Sequence, residues 1–434
     1  MLQKKATVIT LGCSKNLVDS EQILYQLKKN GYQINHDDSY AQSDLVLVNT
    51  CGFIHDAKQE SIDTILELIE AQKEGLVKDV RVFGCLSERY KAELEKEIPE
   101  IKNYYGTYEL DKIYSDLQIA PVKSELNRRV LTTPKHYAYV KISDGCDRTC
   151  SFCAIPLIKG AHRSRPLESI VAECKYLAKQ GTKEIILIAQ DLSYYGIDID
   201  KTHQLAELIR RISEIEGIEW IRMHYLYPAN FPFEVLEVMK TNPKLCRYID
   251  LALQHVSDAQ LKKMRRRISK QNTIELIDTI RKNIPDVALR TTMLIGHPDE
   301  SNDDFDELMQ FVKLTQFDRL GGFTYSNEEN TFAAIEYTDN VPDKIKKARF
   351  EKLMTLQQEI SRKINLSKVG QTFKTIIDRE DSEFYYGRTE FDSPEVDNEV
   401  IIEKNKKLKI GHFYSVEISD YDDFDLIGQV IELL

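Results

Sequence analysis

No apolar run in the 434 residues approaches the roughly 20 that a membrane-spanning helix requires. Lys4 and Lys5 precede only a short apolar run ending at Gly12, which argues against a secretory signal. Positive charge is in short supply: 59 Lys and Arg stand against 70 Asp and Glu, for a net charge of -11. Such a chain is a poor non-specific ligand for nucleic acid, whose phosphates are gripped by Lys and Arg. Cysteine is sparse too. Eight over this length make no disulfide framework, and in the cytoplasm, where this chain is expected, cysteines serve as ligands or inert thiols. What remains, 42% hydrophobic and 30% charged, is ordinary globular composition spread over several domains.

Two of the cysteines read as small packed residues: Cys174, in the helical pattern Glu173–Leu177, and Cys246, after Lys244-Leu245. Three others fall within eight residues, Cys146, Cys150 and Cys153, spaced C-x3-C-x2-C. A closed tetrahedral zinc site wants a fourth thiolate or imidazole, which is not nearby. Three thiolates can instead hold three corners of an iron–sulfur cubane and leave one iron open to another ligand. A zinc knuckle completed by a distant His or Cys, or a chance cluster of cysteines, is the alternative. The last three end short β-rich runs, Thr7–Cys13, Leu45–Cys51 and Val80–Cys85, with helical patterns at 17–29, 57–73 and 88–97. Strand–helix alternation predicts a parallel sheet covered on both faces, with ligands at the carboxyl ends of its strands. Cys13, Cys51 and Cys85 should therefore converge, with Gly12, Gly52 and Gly84 allowing close backbone approach. Three buried structural thiols are the alternative there.

The chain reads as an α/β protein of three parts. An N-terminal parallel α/β sheet domain spans 1–117, and a linker punctuated by Pro121 and Pro134 follows at 118–134. Residues 135–366 hold six strand–helix units, a partial (β/α)6 barrel, with candidate strands at 137–142, 184–190, 220–226, 248–254, 288–295 and 320–325. The C-x3-C-x2-C loop follows the first of these, at the end where barrel active sites lie. Gln190, Asp191, His224, Gln254, His255, Arg290 and Gly296 stand at the other strand ends as candidate contacts, or as ordinary hydrogen-bonded residues. Phe152, inside the loop, could stack on an adenine or simply pack. The basic run Lys262–Arg267 reads as a solvated helix end, or as a contact for RNA phosphates. Residues 367–434 carry five short strands, a small five-stranded β-barrel of the oligonucleotide-binding type. This segment has twice as many acidic as basic residues, which suits a basic protein partner better than a polyanion.

Taken together, these features resemble the methylthiotransferases of the radical S-adenosylmethionine (SAM) superfamily along essentially the whole chain. The resemblance implies that Cys146, Cys150 and Cys153 hold a SAM-binding 4Fe-4S cluster and that Cys13, Cys51 and Cys85 hold an auxiliary 4Fe-4S cluster. It implies SAM both as radical source and as methyl donor, an external electron donor and a sulfur source, and a C-terminal TRAM domain. Phe152, Gln190, Ser193, Gln254 and Gly296 become candidate SAM contacts, and no catalytic residue is assigned beyond the clusters. Two branches of the family matter. The wording Leu11-Gly12-Cys13-Ser14-Lys15-Asn16, Ala189-Gln190-Asp191-Leu192 and Arg290-Thr291-Thr292 is similar to the branch that modifies a protein. The branch that modifies an isopentenylated adenosine of transfer RNA has Gln-Met after the first cysteine and Gln-Asn at the second motif. The implied partner is the decoding-centre protein of the small ribosomal subunit, protein S-twelve, modified at an aspartate β-carbon, either free or on the ribosome. The C-terminal domain would bind protein rather than RNA, and no membrane is involved. One departure stands out: Gly296-His297-Pro298-Asp299-Glu300-Ser301 occupies the place of the family's usual Gly-Phe-Pro-Gly-Glu-Thr. The rival readings are the RNA branch, and a non-enzymatic ribosome- or RNA-binding protein with structural zinc.

Overall fold

The structure is a computed structural model describing residues 3–122 and 125–434. Its N-terminal part is a five-stranded parallel sheet of β1 (Lys5–Thr10), β2 (Gln33–His36), β3 (Leu45–Thr50), β4 (Val80–Gly84) and β5 (Tyr104–Tyr105). Helices α1 (Ser14–Lys29), α2 (His55–Lys73), α3 (Cys85–Glu97) and α4 (Leu110–Asp116) cover it. The order β2-β1-β3-β4-β5 is that of flavodoxin-like sheets, whose ligand crevice lies between the carboxyl ends of the first and third strands. β3 is buried along its whole length, as a central strand between two helical layers must be, hence its unbroken Leu-Val-Leu-Val. β2 and β5 were not expected. They are short edge strands, Gln-Ile-Asn-His and Tyr-Tyr, with no apolar run to betray them.

The segment from Val130 to Pro134 carries no regular structure but is anchored at its start: the buried Arg129 pairs with Glu21 of α1 at 2.7 Å. The central part follows. Strand β6 (Tyr137–Lys141) leads into the hairpin β7 (Ser143–Asp144) and β8 (Arg163–Ser164), which brackets helix α5 (Ile155–Lys159). Then come α6 (Leu167–Lys179), β9 (Glu184–Ile188), α7 (Ile197–Asp200), α8 (Leu205–Ser213), β10 (Trp220–Met223) and α9 (Glu234–Thr241). After these come β11 (Tyr248–Gln254), α10 (Asp258–Lys263), α11 (Lys270–Asn283), β12 (Ala288–Ile295), α12 (Asn302–Thr315), β13 (Arg319–Thr324), α13 (Phe332–Glu336) and α14 (Asp343–Lys368). The six long strands form two parallel three-stranded sheets, β6-β9-β10 and β11-β12-β13, joined among the described residues only by isolated bridges at Ile221–Leu245 and Leu226–Leu251. This is the open barrel expected. One face of the strands (Ala138, Val140, Ile185, Leu187, Ile221, Met223, Ile249, Leu251, Leu289) packs on the helices as the largest core of the protein. The alternate residues face inward, and they are mostly polar. The short helices α5, α7, α10 and α13 were not anticipated, because four to six residues hold too little periodicity to read.

Strands β14 (Thr372–Glu380), β15 (Phe384–Thr389), β16 (Val400–Glu403), β17 (Phe413–Tyr421) and β18 (Leu426–Leu433) close into a small barrel in the order β14-β15-β16-β18-β17. It docks at the amino ends of the central strands, where Trp220, Tyr248 and Ala288 pack with Ile376 and Phe413. Its segment from Arg388 to Asp397 then reaches the inward side chains of all six central strands. Tyr137 and Tyr139 donate to Glu395, and Arg388 to Glu184. Arg222 donates to the Glu390 carbonyl, and Ser393 bonds His224. Tyr248 and Arg290 donate to Asp397, and Arg319 to Asp392. The acidity of this segment therefore has a partner inside the same chain: Asp378, Asp392 and Asp397 are matched to Arg388, Arg319 and Arg290. Glu380, Glu383, Glu417, Asp420 and Glu432 remain exposed on the outer surface. Among the described residues no helix is long and apolar enough to cross a membrane.

Candidate metal centres and active site

The first cysteine trio forms at the switch point of the N-terminal sheet. Cys13 follows β1 and precedes α1, Cys51 follows β3, and Cys85 follows β4 as the first residue of α3. Gly12 has φ of +93°, and a Cβ there would stand 2.7 Å from the Cβ of Cys51. Gly84, at +107°, similarly leaves no room for a side chain beside Thr50, so both close approaches require glycine. Asn16 ties the site together, donating to the carbonyls of Leu11 and Thr50 at 2.9 and 3.2 Å, while its carbonyl oxygen faces Cys85 Sγ at 3.8 Å. Burial pushes the Cys85 thiol up to about 12, with Cys13 and Cys51 near enough to add to the rise and Lys159 near enough to oppose it. The Cys51 thiol is raised for the same reason, chiefly burial. The amino ends of α1 and α3 both point at this crevice and favour negative charge there.

The second trio sits in the loop between β7 and β8. Cys146 N–H donates to the Gly160 carbonyl at 3.1 Å, and Cys153 N–H to the Cys150 carbonyl at 3.2 Å. Ser151 fixes the loop from within: its N–H donates to Met264, its carbonyl accepts from Ala333, and its hydroxyl bonds His297 at 3.1 Å. Burial pushes the Cys146 and Cys153 thiols up to about 12. Two arginines complete the surroundings. Arg266 Nη1 donates to Cys150 Sγ at 3.1 Å and stacks on Tyr227, and Arg148 is held by Asp191 at 2.7 Å. Sequence reasoning missed Arg266, which reads as one cation in a solvated run. Its neighbours Lys262, Arg265 and Arg267 are indeed exposed, beside a groove of about 880 Å³ that none of the six cysteines lines.

The two trios are brought face to face. Cys85 packs with Ala154 and Ile158, which follow Cys153 on the same loop and helix. Near Cys85 lies a buried ionic cluster that includes Lys159 and Asp19, in which Lys141 contacts Asp19 at 2.5 Å and Asp144 at 2.7 Å. The donor sets fit iron–sulfur clusters: three thiols each, at strand ends, with no fourth thiol closing either site. Among the described residues no three His, Cys, Asp or Glu side chains are drawn together tightly enough for a single ion, and a cluster with iron at each corner needs its cysteines further apart than that. Buried polar atoms beside the second trio also lack protein partners, namely Gln190 Oε1, Arg148 Nη2 and Arg266 Nε.

The remaining predicted contacts fall into two groups. Gln190 lies two residues past the end of β9, which stops at Ile188 short of the expected 190, with its amide oxygen unpaired, and Gln254 ends β11 at a bulge with φ of +75°, a conformation rare for a side-chain-bearing residue. Phe152 lies beside the loop, edge-on to His297 with ring centroids 6.3 Å apart, against Met264, Leu294 and Tyr325. Ser193 and Gly296 are engaged otherwise. The Ser193 hydroxyl donates to Asp191 and accepts from Tyr227 N–H, and Gly296 N–H donates to Glu300 at 2.8 Å. A Cβ at Gly296 would meet Lys346 Cγ at 2.3 Å. His224 and Arg290 face Ser393 and Asp397 of the small barrel rather than the cysteines. The unusual His297 is fully buried among Phe152, Tyr325 and Tyr337, taking the place of an aromatic ring, with its nitrogens on Ser151 and Gln260.

Comparison with known proteins gives the same picture. The chain is 51% identical to the ribosomal protein uS12 methylthiotransferase RimO of Phocaeicola vulgatus, over 99% of this chain and 100% of that one. It is 50% identical to the RimO of Porphyromonas gingivalis over the full length of both. The chain belongs to the RimO family of methylthiotransferases. Family models match in three places: the Radical SAM superfamily at 140–312, the uncharacterized protein family UPF0004 at 5–106 and the TRAM domain at 369–431. In RimO terms the first trio lies in the UPF0004 match and the second in the radical SAM match. Among solved structures, the radical SAM methyltransferase TsrM from Kitasatospora setae shares the fold with a TM-score of 0.56 at 15% identity, over 77% of this chain and 74% of that one. The radical SAM enzyme OxsB superposes with a TM-score of 0.51 at 15% identity, over 85% of this chain and 61% of that one.

Proposed function

We propose that this enzyme methylthiolates the β-carbon of an aspartate in ribosomal protein uS12. Cys146, Cys150 and Cys153 hold a SAM-binding 4Fe-4S cluster, and Cys13, Cys51 and Cys85 hold an auxiliary 4Fe-4S cluster. The observation that carries this reading is the pairing of two three-cysteine sites across the Cys85–Ala154–Ile158 contact, in a chain of RimO sequence. When bound, these groups supply the radical that takes hydrogen from an unactivated carbon, the sulfur, and, from a second SAM, the methyl group. An external electron donor and a sulfur source are needed.

The chain's own residues position and shield. Arg266 donates to Cys150 and so favours negative charge on that sulfur. Asp191 orients Arg148 beside it. Gln190, Gln254 and Phe152 serve as SAM contacts. Ser193 and Gly296 act through their neighbours, Ser193 by fixing Asp191 and Gly296 by admitting Lys346. The packing of Phe152, Met264, Leu294 and Tyr325 keeps water from one side of the loop. The units at work are 1–117 for the auxiliary cluster, 118–134 as linker, 135–366 as SAM barrel and 367–434 as TRAM domain. The exposed acids of the last face a basic protein, uS12 free or on the ribosome, and the reaction is cytoplasmic.

The test is mass spectrometry of ribosomal proteins and transfer RNA from a strain lacking this gene, beside its parent. Loss of the methylthio group from the uS12 aspartyl peptide, with RNA nucleosides unchanged, is the expected result. Loss from the transfer-RNA adenosine instead would overturn the proposal.

A further inference from the structure

Most basic side chains near the two cysteine trios have partners. Arg89 donates to the Gly52 carbonyl at 3.0 Å and pairs with Glu328 at 3.1 Å. Lys141 pairs with Asp19 and Asp144 at 2.5 and 2.7 Å, and Lys159 faces the same two carboxylates at 4.0 and 3.8 Å. Arg148 is held by Asp191, and Arg266 by Cys150 Sγ and the Ala252 carbonyl. Lys15 is the exception. It stands in the first turn of α1, two residues after Cys13, and is only 9% exposed. Its side chain crosses to the central barrel, where the ammonium lies 3.7 Å from the ring centroid of Tyr225, just past the carboxyl end of β10. Among the described residues no carboxylate comes within ion-pair distance of it.

Burial opposes the Lys15 charge, but Tyr225, Cys13 and Asp144 outweigh it and keep the side chain an ammonium. The platform under it is itself held in an unusual state. Tyr225 has φ of +65°, with its N–H donating to Asp250 at 3.0 Å. A charged ammonium beside two cofactor sites with no carboxylate in direct contact is what a site for an anionic substrate requires.

We propose that Lys15 binds the side-chain carboxylate of the substrate aspartate, an inference that rests on the protein-modifying reading above. That carboxylate is bonded directly to the carbon to be modified. Pairing it with an ammonium tethered beside Cys13 and seated over the barrel mouth fixes the β-carbon between the two trios. It also makes the site selective for aspartate over asparagine, which has the same shape but no charge.

The test uses the cluster-loaded enzyme and two synthetic peptides spanning the modified loop of uS12, one with the aspartate and one with asparagine in its place. The wild type should favour the aspartyl peptide by about a hundredfold or more in kcat/KM, the range for truncating one side of a buried charge pair. Lys15→Met should lose most of that preference, mainly through KM, with iron and sulfide content unchanged, and Lys15→Arg should recover part of it. A wild-type preference below about threefold would overturn the proposal, as would full preference in Lys15→Met. Should Lys15→Met fail to load its clusters, the wild-type peptide pair decides by itself. A wild type that modifies neither peptide but does modify transfer RNA marks failure of the parent reading, and this inference falls with it.

Discussion

Glu184→Gln should loosen the small barrel from the central one. Glu184 is fully buried on β9, and its two oxygens accept from Arg222 at 2.8 Å and Arg388 at 2.7 Å. Arg388 keeps Asp378 when the charge is removed. Arg222 keeps the Glu390 carbonyl and the faces of Tyr248 and Trp220, so its charge is left without an anion in a site with no water access. Removing one partner of a buried pair costs about 3–5 kcal/mol. The glutamine oxygen still accepts one hydrogen bond, recovering about 1 kcal/mol. The net loss of about 2–4 kcal/mol falls on the contact between the two barrels. The single tryptophan makes this measurable, because Trp220 is 2% exposed and edge-on to Phe413 of the small barrel, ring centroids 4.8 Å apart. With a urea dependence of about 2–3 kcal/mol per molar, the Trp220 fluorescence transition should move down by about 1 M. Glu432→Gln, on the exposed face, should leave it in place. A shift below about 0.2 M for Glu184→Gln would refute the claim that this carboxylate neutralises Arg222 inside the barrel.

Other consequences follow from the sites themselves. Arg266→Met should lower the reduction potential of the SAM-binding cluster by about 50 mV, since one lost charge-assisted bond to sulfur weighs most on the reduced form; a potentiometric titration followed by electron paramagnetic resonance reads it. Cys150→Ala should abolish SAM cleavage, whereas Cys51→Ala should cleave SAM but make no methylthiolated peptide, and product from Cys51→Ala would break the assignment of the two sites. Burial holds the His297 imidazole down at about 4 from an ordinary 6.5. A folded-state value below the unfolded one means that the neutral ring's contribution is complete above pH 6.5 and is lost as the pH falls towards 4, about 3 kcal/mol in all. His297→Phe should flatten that acid limb in urea midpoints taken at pH 7.5 and 5, while losing about 1–3 kcal/mol at neutral pH because the Ser151 hydroxyl is left unpaired.

The meeting of Cys13, Cys51 and Cys85 is legible in the sequence because alternating strands and helices put every strand end at one edge. The open six-stranded barrel is legible for the same reason. The interior of that barrel is not. Glu184, Arg222, Arg290 and Arg319 sit on strands where alternation assigns charged residues to solvent, and only the arrival of residues 388–397 turns that face inward. The segment Glu390-Phe391-Asp392-Ser393-Pro394-Glu395 has the composition of an ordinary turn, and nothing local marks it as buried. Arg266 is hidden in a run of like charges, and its role depends on a thiol 116 residues away. The isolation of Lys15 is a statement about where carboxylates are not, which no spacing reports.

Both junctions of the central barrel add buried polar contacts to apolar packing, Val18 against Tyr137, Tyr139, Ile186 and Ile188 at one and Trp220 against Phe413 at the other. The N-terminal sheet is held by Lys141–Asp19 at 2.5 Å, Arg129–Glu21 at 2.7 Å and Arg89 and Lys58 on Glu328 at 3.1 and 2.9 Å. The small barrel is held by the pairs of Glu184, Asp392 and Asp397. Apolar faces of similar area would bind as firmly but would tolerate sliding, because the hydrophobic effect has no direction. Buried ion pairs are poor sources of stability, and their best-attested use is to fix register. Register is what this architecture needs. The two cysteine trios come from different sheets, and among the described residues no strand pairing joins those sheets, so their relative position depends on how the sheets seat. Asp19 lies one turn of α1 beyond Lys15, and its partner Lys141 ends the strand that leads to Cys146. The same ion pair therefore sets the position of both cysteine sites and of the Lys15 ammonium.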